Sequence, residues 1–383
     1  MPTRGVPLPV LIGPSTTVSP TFATDGFDNS TICGDRVEVF AVHAPVVTTN
    51  TQPNTTTHLS SVLRPVKRNT PALIAAPFQI RKIFNVPASI VLVYARINHT
   101  GGNMVLRFAT HRGRAQLVVG EGTHLVDLEQ VSNGHFSSDP MQSFARWAEL
   151  REFAETITAV GEPFDPMSLD APSPRPAQLF GIGLNYRAHA TETGAKIPPS
   201  PLTFTKFVSA INSPYGDIPI KHSTVDWEVE LVVVISTGGR DISVASAWDH
   251  IAGVCVGQDI SDRALQNATQ PPQFNLGKSR QGYAPFGPWI TDSAHLANRD
   301  ALRVTCRLNS QEVQNSTTDD LIFPVDYLVS YLSSIVELFA GDVIYTGTPS
   351  GVGAARTPPQ FLSSGDILIS AIEDVCSITN LCI

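Results

Sequence analysis

Basic side chains are in the minority in this chain: 26 Lys and Arg stand against 34 Asp and Glu, a net charge of −8 at pH 7. That balance argues against nucleic acid, whose phosphates call for a basic surface, and against a general affinity for anionic membranes. It leaves room for an anionic small molecule whose site brings its own cation. Cysteine is scarce too. The five residues Cys33, Cys255, Cys306, Cys376 and Cys382 are odd in number, scattered and never spaced C-x-x-C. Neither a zinc knuckle nor a disulfide framework is indicated, and the thiols read as reduced residues of a reducing compartment. Long apolar runs are missing, since the most apolar early stretch, SIVLVYARI at 89–97, is too short to span a bilayer. No basic start followed by an apolar core marks a signal peptide. The expected location is cytoplasmic. A mitochondrial leader is the weaker reading, because the first thirty residues hold one Arg and include Asp25 and Asp28. What is present is 42% hydrophobic and 16% charged residues over 383 positions, enough to bury a substantial core.

The chain changes character near Met104. Residues 1–103 are rich in Thr, Pro, Ser and Asn, as in TTNTQPNTTTHLSS, with no sustained period of two or 3.6. Such a composition buries too little apolar surface to offset its chain entropy. It is expected to be a disordered extension or a misassigned start. From Met104 the pattern MVLRFATHRGRAQLVVGEGTHLVDLE reads as three strands punctuated by Gly113, Gly120 and Gly122, followed by a helix around MQSFARWAELREFAETI. This makes 104–173 a small α+β N-terminal domain, ending in the proline-rich linker DAPSPRPAQ. Residues 174–383 form the second domain: short apolar strands (QLFGIGLNY, EVELVVVIS, HIAGVCVGQDI, PWITD, LRVTCRLN, DVIYTG, ILISAI) and one amphipathic helix at PVDYLVSYLSSIVEL. The expected class is mostly β with some α.

One stretch carries more charge than a strand readily tolerates. In VDWEVELVVVIS, Asp226, Glu228 and Glu230 alternate with Trp227, Val229 and Leu231. Residues two apart on a strand share a face, so the segment reads as solvent-facing at its start and buried at its end. A divalent, oxygen-loving cation is the ordinary way to hold such carboxylates together. A third ligand is offered by Asp259, which closes the apolar strand of VCVGQDI. No His lies in either stretch and the one Cys, Cys255, sits within the apolar strand, so Mg²⁺ or Mn²⁺ suits better than zinc. Taken singly, each carboxylate is better read as a solvated surface group. GLNYRAHATETG places His189 and Glu192 three apart. On a helix they are neighbours, the arrangement a carboxylate-supported general base requires. Exposure on a turn is the competing view. The glycine-rich TGTPSGVG at 346–353 lacks the Lys-Ser/Thr of a P-loop but offers backbone N–H groups, with Thr348, that suit a carboxylate.

GLNYRAHATE, PLTFTKF, VDWEVELVVVI, GQDISDRALQ, LGKSRQGYAPFGPWI and DVIYTGTPSGVG occur in that order, and the chain from Met104 onward resembles the fumarylacetoacetate hydrolase family, in its branch acting on small 2-oxo acids. The resemblance implies a mixed β-sandwich roll, a homodimer and one Mg²⁺ or Mn²⁺ per subunit. By position it makes Glu228, Glu230 and Asp259 the metal ligands and His189 with Glu192 the catalytic dyad. Lys278 falls beside the metal, Arg263, Gln266 and Thr348 on the substrate, Asp226 outside the ligand set, and Lys206 at a recurrent lysine. Two departures stand out: Lys278-Ser279-Arg280-Gln281-Gly282-Tyr283 where many members have K-S-F-D-G-F, and Asp374-Val375-Cys376 where a G-x-G is usual. The implied chemistry is an enolate formed from a metal-chelated 2-oxo acid, most simply in hydrolysis of a C–C bond of an acylpyruvate or fumarylpyruvate. Oxaloacetate tautomerase or decarboxylase activity uses the same intermediate. A catalytically silent metal-binding dimer is the alternative from another class.

Overall fold

The computed structural model describes residues 105–383, and these belong to one compact unit. The expectation for residues 1–103 falls outside the described residues. The chain enters through β1 (Arg107–His111), β2 (Arg114–Val119) and β3 (His124–Asp127), then α1 (Leu128–Val131), α2 (Pro140–Phe144) and α3 (Trp147–Glu155), with two short strands, β4 (Glu162–Pro163) and β5 (Leu169–Asp170). The single helix expected here is two. Asp139 caps α2 by accepting from the Met141 N–H, and the chain turns at Ala145–Arg146 before α3 begins. Turning there lets Phe144 and Trp147 stack on each other and pack edge-on against Phe108 of β1.

The expected linker is packed. Pro172 and Ser173 are buried, the Thr110 hydroxyl donates to the Pro172 carbonyl, and the Ser173 hydroxyl donates to the Gly341 carbonyl at 2.7 Å. Proline there stiffens a crossing inside the unit.

The remainder contains β6 (Leu179–Gly183), α4 (Arg187–Thr193), β7 (Leu202–Thr205), β8 (Ile211–Asn212), β9 (Val225–Asp226), β10 (Val229–Ile235), β11 (Ile251–Gln258) and β12 (Ser261–Asp262). After these come α5 (Arg263–Gln266), α6 (Phe274–Gly277), β13 (Ala284–Asp292), β14 (Arg303–Leu308), β15 (Gln311–Thr317), α7 (Val325–Ser333), β16 (Val343–Tyr345), β17 (Ile367–Ile372) and β18 (Cys376–Leu381). The large sheet runs β4-β3-β2-β1-β13-β11-β10-β16-β6-β7, with β5 beside β1 and β8 beside β13. The strands of 105–173 therefore continue the same sheet, joined through β1 and β13. A second sheet, β15-β14-β17-β18, is antiparallel throughout. The result is the mixed, sheet-dominated architecture with a few helices that the sequence implies.

Strand β10 shows why the site sits where it does. It lies between β11 and β16, antiparallel to both. Val229, Leu231, Val233 and Ile235 enter a core shared with Val304, Cys306 and Leu368 of the four-stranded sheet, while Val232 and Val234 enter the core of Phe286 and Tyr345. Each such side chain contributes about 1.5–3 kcal/mol by leaving water. Glu230 points to the same side as Val232 and Val234, by the two-residue repeat. The solvent-facing start expected for this segment is not found: Asp226, Glu228 and Glu230 are 0%, 6% and 1% exposed. The acids are buried because the strand is covered on both faces, so each must find a partner within the protein.

Candidate metal centre and active site

The strand breaks between β9 and β10, at Trp227 and Glu228, and that break separates the three acids. Asp226 turns away to Arg263, whose Nη2 lies 2.8 Å from its Oδ2, and it accepts from the backbone N–H groups of Gly353 and Ala354. It stands apart from the cluster that Glu228 and Glu230 enter. Glu228 and Glu230 meet Asp259 instead, and one oxygen from each lies within 4.8 Å of the others. The backbone helps to align them, since the Asp259 N–H donates to the Glu228 carbonyl at 2.9 Å. Two strands thus deliver three carboxylates to one point.

The charges around that point are unevenly balanced. Lys278 Nζ lies 2.7 Å from Glu228 Oε2 and 2.5 Å from Asp259 Oδ2, and Lys206 Nζ lies 2.5 Å from Asp259 Oδ1. Arg263 Nη1 lies 2.7 Å from Glu228 Oε1. Burial pushes the Glu228 carboxyl up, but Lys278 and Arg263 outweigh it and hold that group at about 2. Glu230 is the opposite case. Burial, with Asp259 and Glu228 as like charges, pushes its carboxyl well above the ordinary range. Burial would lower the Lys278 ammonium, yet Asp259 and Glu228 raise it, so it stays charged. Lys206 falls below its usual value, because burial outweighs the attraction of Asp259 and Lys278 repels it. A cluster whose third acid is disfavoured as an anion is short of positive charge, the condition a divalent ion relieves. The all-carboxylate donor set fits Mg²⁺ or Mn²⁺.

A cavity of about 530 Å³ opens over this cluster, with Glu228, Lys278, His189, Glu192 and Thr348 in its wall. Arg263 and Gln266 reach it from α5, and Leu202, Phe274 and Val352 make the apolar side. The dyad rides on α4, which ends at Gly194 in the left-handed conformation. His189 Nδ1 and Glu192 Oε2 are 2.9 Å apart. Burial raises the Glu192 carboxyl, but the hydrogen bonds from His189 and from the Gly351 N–H bring it below its usual value. An ionised carboxylate only accepts, so Nδ1 carries the proton of the neutral ring.

The glycine-rich turn binds carboxylates, as its sequence suggests, but they are the protein's own. The N–H of Gly347 donates to Glu230 Oε2 at 2.7 Å, that of Gly351 to Glu192 Oε1 at 2.8 Å and that of Gly353 to Asp226 Oδ1 at 2.7 Å. Gly347 (φ +108°) and Gly351 (φ +105°) sit where L side chains are strained, and a Cβ on Gly351 would lie 2.0 Å from the Val313 carbonyl oxygen. The expected substrate residues are likewise engaged. The Thr348 hydroxyl donates to the Val229 carbonyl at 3.0 Å and accepts from Gln314 Nε2 at 2.8 Å, and Arg263 Nη1 donates to Gln266 Oε1 at 3.0 Å. At the two departures, Arg280 pairs with Asp262 at 2.8 Å, and Asp374 takes a left-handed backbone (φ 61°) in the β17–β18 turn. Aspartate is one of the few residues that accept that conformation.

Gln258 and Gln314 also belong to this region, and their side-chain carbonyls accept from the backbone N–H of Glu228 and of Val229. No spacing signals them, because the contacts are made between strands far apart in the chain.

The described residues contain no helix long and apolar enough to cross a membrane. The model for the fumarylacetoacetate (FAA) hydrolase C-terminal region matches residues 178–382. The fumarylacetoacetate hydrolase domain-containing protein 2 homolog of Dictyostelium discoideum is 39% identical over 271 residues, 67% of this chain and 88% of the relative. The mitochondrial oxaloacetate tautomerase FAHD2A of Bos taurus is 39% identical over 212 residues, 55% of this chain and 68% of the relative. Among solved structures, the fumarylacetoacetate hydrolase of Exiguobacterium antarcticum matches with a TM-score of 0.61 and 28% identity, over 73% of this chain and 98% of its own. The fumarylpyruvate hydrolase of Pseudomonas aeruginosa, in complex with Mn²⁺ and pyruvate, matches at 0.50 and 27%, over 60% and 94%. With the acidic cluster, the dyad and the mixed sheet all in hand, the chain belongs to the fumarylacetoacetate hydrolase family.

Proposed function

We propose that this protein is a divalent-metal-dependent enzyme that moves a proton at the carbon next to the keto group of a small 2-oxo acid, with oxaloacetate keto–enol tautomerisation as its reaction. The observation that carries the reading is the meeting of Glu228, Glu230 and Asp259 within 4.8 Å of one another, below a cavity that also holds the His189–Glu192 dyad. The likeness to the bovine tautomerase supports this choice over the hydrolytic one that the sequence resemblance favoured.

Glu228, Glu230 and Asp259 would hold Mg²⁺ or Mn²⁺, which supplies a Lewis-acidic charge for the oxygens of a 2-oxo acid. His189, its Nδ1 proton directed at Glu192, takes the proton from the substrate carbon through Nε2 and delivers it to the enolate oxygen, and the reverse passage converts enol to keto acid. Glu192 fixes the tautomer and steadies the imidazolium. Lys278 keeps its charge beside the ligands and lowers the energy of the negative oxygen as it develops. Gln266, Arg263 and Thr348 orient the substrate, exchanging contacts within the protein for contacts with it. Leu202, Phe274 and Val352 limit water around the reacting carbon.

Hydrolysis of acylpyruvates is the second reading, favoured by the likeness to the fumarylpyruvate hydrolase bound to Mn²⁺ and pyruvate. It asks His189 to activate a water. A homodimer, and the mitochondrial residence named for the bovine relative, belong to the same proposal.

The test is a substrate panel with Mg²⁺ and with Mn²⁺. Accelerated loss of the oxaloacetate enol band without release of CO₂ or pyruvate is the expected result. Pyruvate release from acylpyruvates with no effect on the enol band would replace tautomerisation by hydrolysis, and inertness toward both, with metal bound, would leave the silent scaffold.

A further inference from the structure

Three consecutive backbone N–H groups run through the break between β9 and β10, where the sheet ladder lapses. The Trp227 N–H donates to Asp226 Oδ1 at 2.9 Å, that of Glu228 to Gln258 Oε1 at 2.9 Å, and that of Val229 to Gln314 Oε1 at 3.0 Å. Side chains thus stand in for a neighbouring strand. A buried backbone donor must be paired, so the break exists in this form only while those acceptors are in place.

Both glutamines are buried, at 0% and 2% exposure, and both are held at their far ends. Gln258 Nε2 donates to the Ser370 hydroxyl at 2.7 Å, on β17. Gln314 is itself on β15, and its Nε2 donates to Thr348 Oγ1 at 2.8 Å and to the Pro349 carbonyl at 2.9 Å. Thr348 then closes a ring by donating to the Val229 carbonyl. The four-stranded sheet therefore grips the last residue of the break and the first of β10, through one amide on each. One of these residues is Glu228. The other lies between Glu228 and Glu230, and the loop that Gln314 holds also presents the Gly347 N–H to Glu230 Oε2.

We infer that Gln258 and Gln314 are positioning residues of the metal centre, setting the spacing of Glu228 and Glu230 by fixing the backbone N–H groups of residues 228 and 229. The inference rests on the metal reading of the acidic cluster. Neither amide touches a ligand oxygen in this structure. They act through the main chain, so their loss should loosen the ligand pair without removing a ligand.

Mn²⁺ affinity measured by calorimetry, and the bound-ion spectrum by electron paramagnetic resonance, test this on the full chain. Gln258→Met and Gln314→Met keep volume and remove the amide. Each is expected to weaken Mn²⁺ binding by about ten-fold, the lower end of the range for groups that orient metal ligands, and to broaden the bound-ion spectrum. Gln116→Met is the control, because Gln116 is also buried but bonds Asp127 at the far edge of the sheet. It is expected to leave affinity unchanged while costing some thermal stability. Lowered thermal stability with unaltered affinity and spectrum in both site variants would make the glutamines merely structural and overturn the inference. If those variants do not fold, Ser370→Ala decides, since it removes the shorter contact of Gln258 Nε2, leaving Cys306 Sγ at 3.4 Å, without removing the amide: weaker binding supports the inference and unchanged binding overturns it. Wild-type protein that takes up no Mn²⁺ would overturn the metal reading together with this one, whereas tight wild-type binding with unchanged variants overturns the glutamines' role alone.

Discussion

Two clusters of ion pairs in this molecule have nearly the same distances and opposite surroundings. At the outer edge of the sheet, Arg114 lies 2.7 Å from Asp127 and 2.9 Å from Glu129, with 40% of its side chain exposed. At the buried acidic cluster, Lys206, Lys278 and Arg263 lie 2.5–2.8 Å from Asp259, Glu228 and Asp226, with 0–14% of each side chain exposed. Water and salt screen the first cluster, and its loss is absorbed by solvent. Nothing absorbs the second. Removing one partner there leaves a bare charge in the core, and such a pair seldom stabilises a fold better than apolar residues of its size. The difference teaches what each cluster is for. The outer pairs dress a surface, while the inner one holds Glu228, Asp259 and Asp226 in fixed positions inside the core, the arrangement the proposed function requires.

The sharpest way to extend the comparison is to remove chemistry from the inner cluster's rim and leave its ligands alone. His189→Ala is expected to lower turnover by about 10²–10⁴-fold, the usual worth of a general base, with Mn²⁺ affinity unchanged. Steady-state kinetics beside a calorimetric titration check this, and equal loss of both would make His189 structural or a ligand. An intermediate case is Asp262, 2% exposed and paired with Arg280, which is 35% exposed. Burial raises its carboxyl, but Arg280, the Leu265 N–H and the Thr224 hydroxyl outweigh that and hold it below its usual value. Its stabilisation is then complete above the unfolded carboxylate pKa of about 3.9 and is lost as pH falls through the lower folded value. Asp262→Asn should cost about 1–3 kcal/mol near pH 7, and the gap in melting temperature from wild type should close below pH 4. A gap independent of pH would show that the charge is not what matters. Smallest of all, Arg114→Ala should scarcely move the melting temperature at physiological salt, and a large shift there would break the contrast between the clusters.

Much of the candidate site was legible because its residues sit on strongly patterned segments. The runs around Val232 and Val254 could only be buried strands, so acids at their ends, Glu230 and Asp259, had to be explained. His189 and Glu192 were readable for a similar reason, since a three-residue spacing has meaning once α4 exists. Other features left no local trace. Gln311–Thr317 is a polar strand with only Val313 and Gln314 buried, and its pairing with β14 is decided by tertiary contact, against the residues' own preference. The proline-rich 171–176 stretch carries the signature of a linker, but Ser173 and Thr110 fasten it to the core. The turn at 346–353 announced a liking for carboxylates without saying whose, because Glu230, Glu192 and Asp226 come to it from other elements. The strand break at Trp227 and Glu228 was hidden by a perfect alternation of acidic and apolar residues.

One titration tests the central claim most directly: Mn²⁺ added to the metal-free wild-type protein and to Asp259→Asn, followed by calorimetry. One ion bound per chain by the wild type, with binding lost in the variant, is the predicted result. Undiminished binding by Asp259→Asn, or none by the wild type, would contradict the account that Glu228, Glu230 and Asp259 together hold a divalent cation.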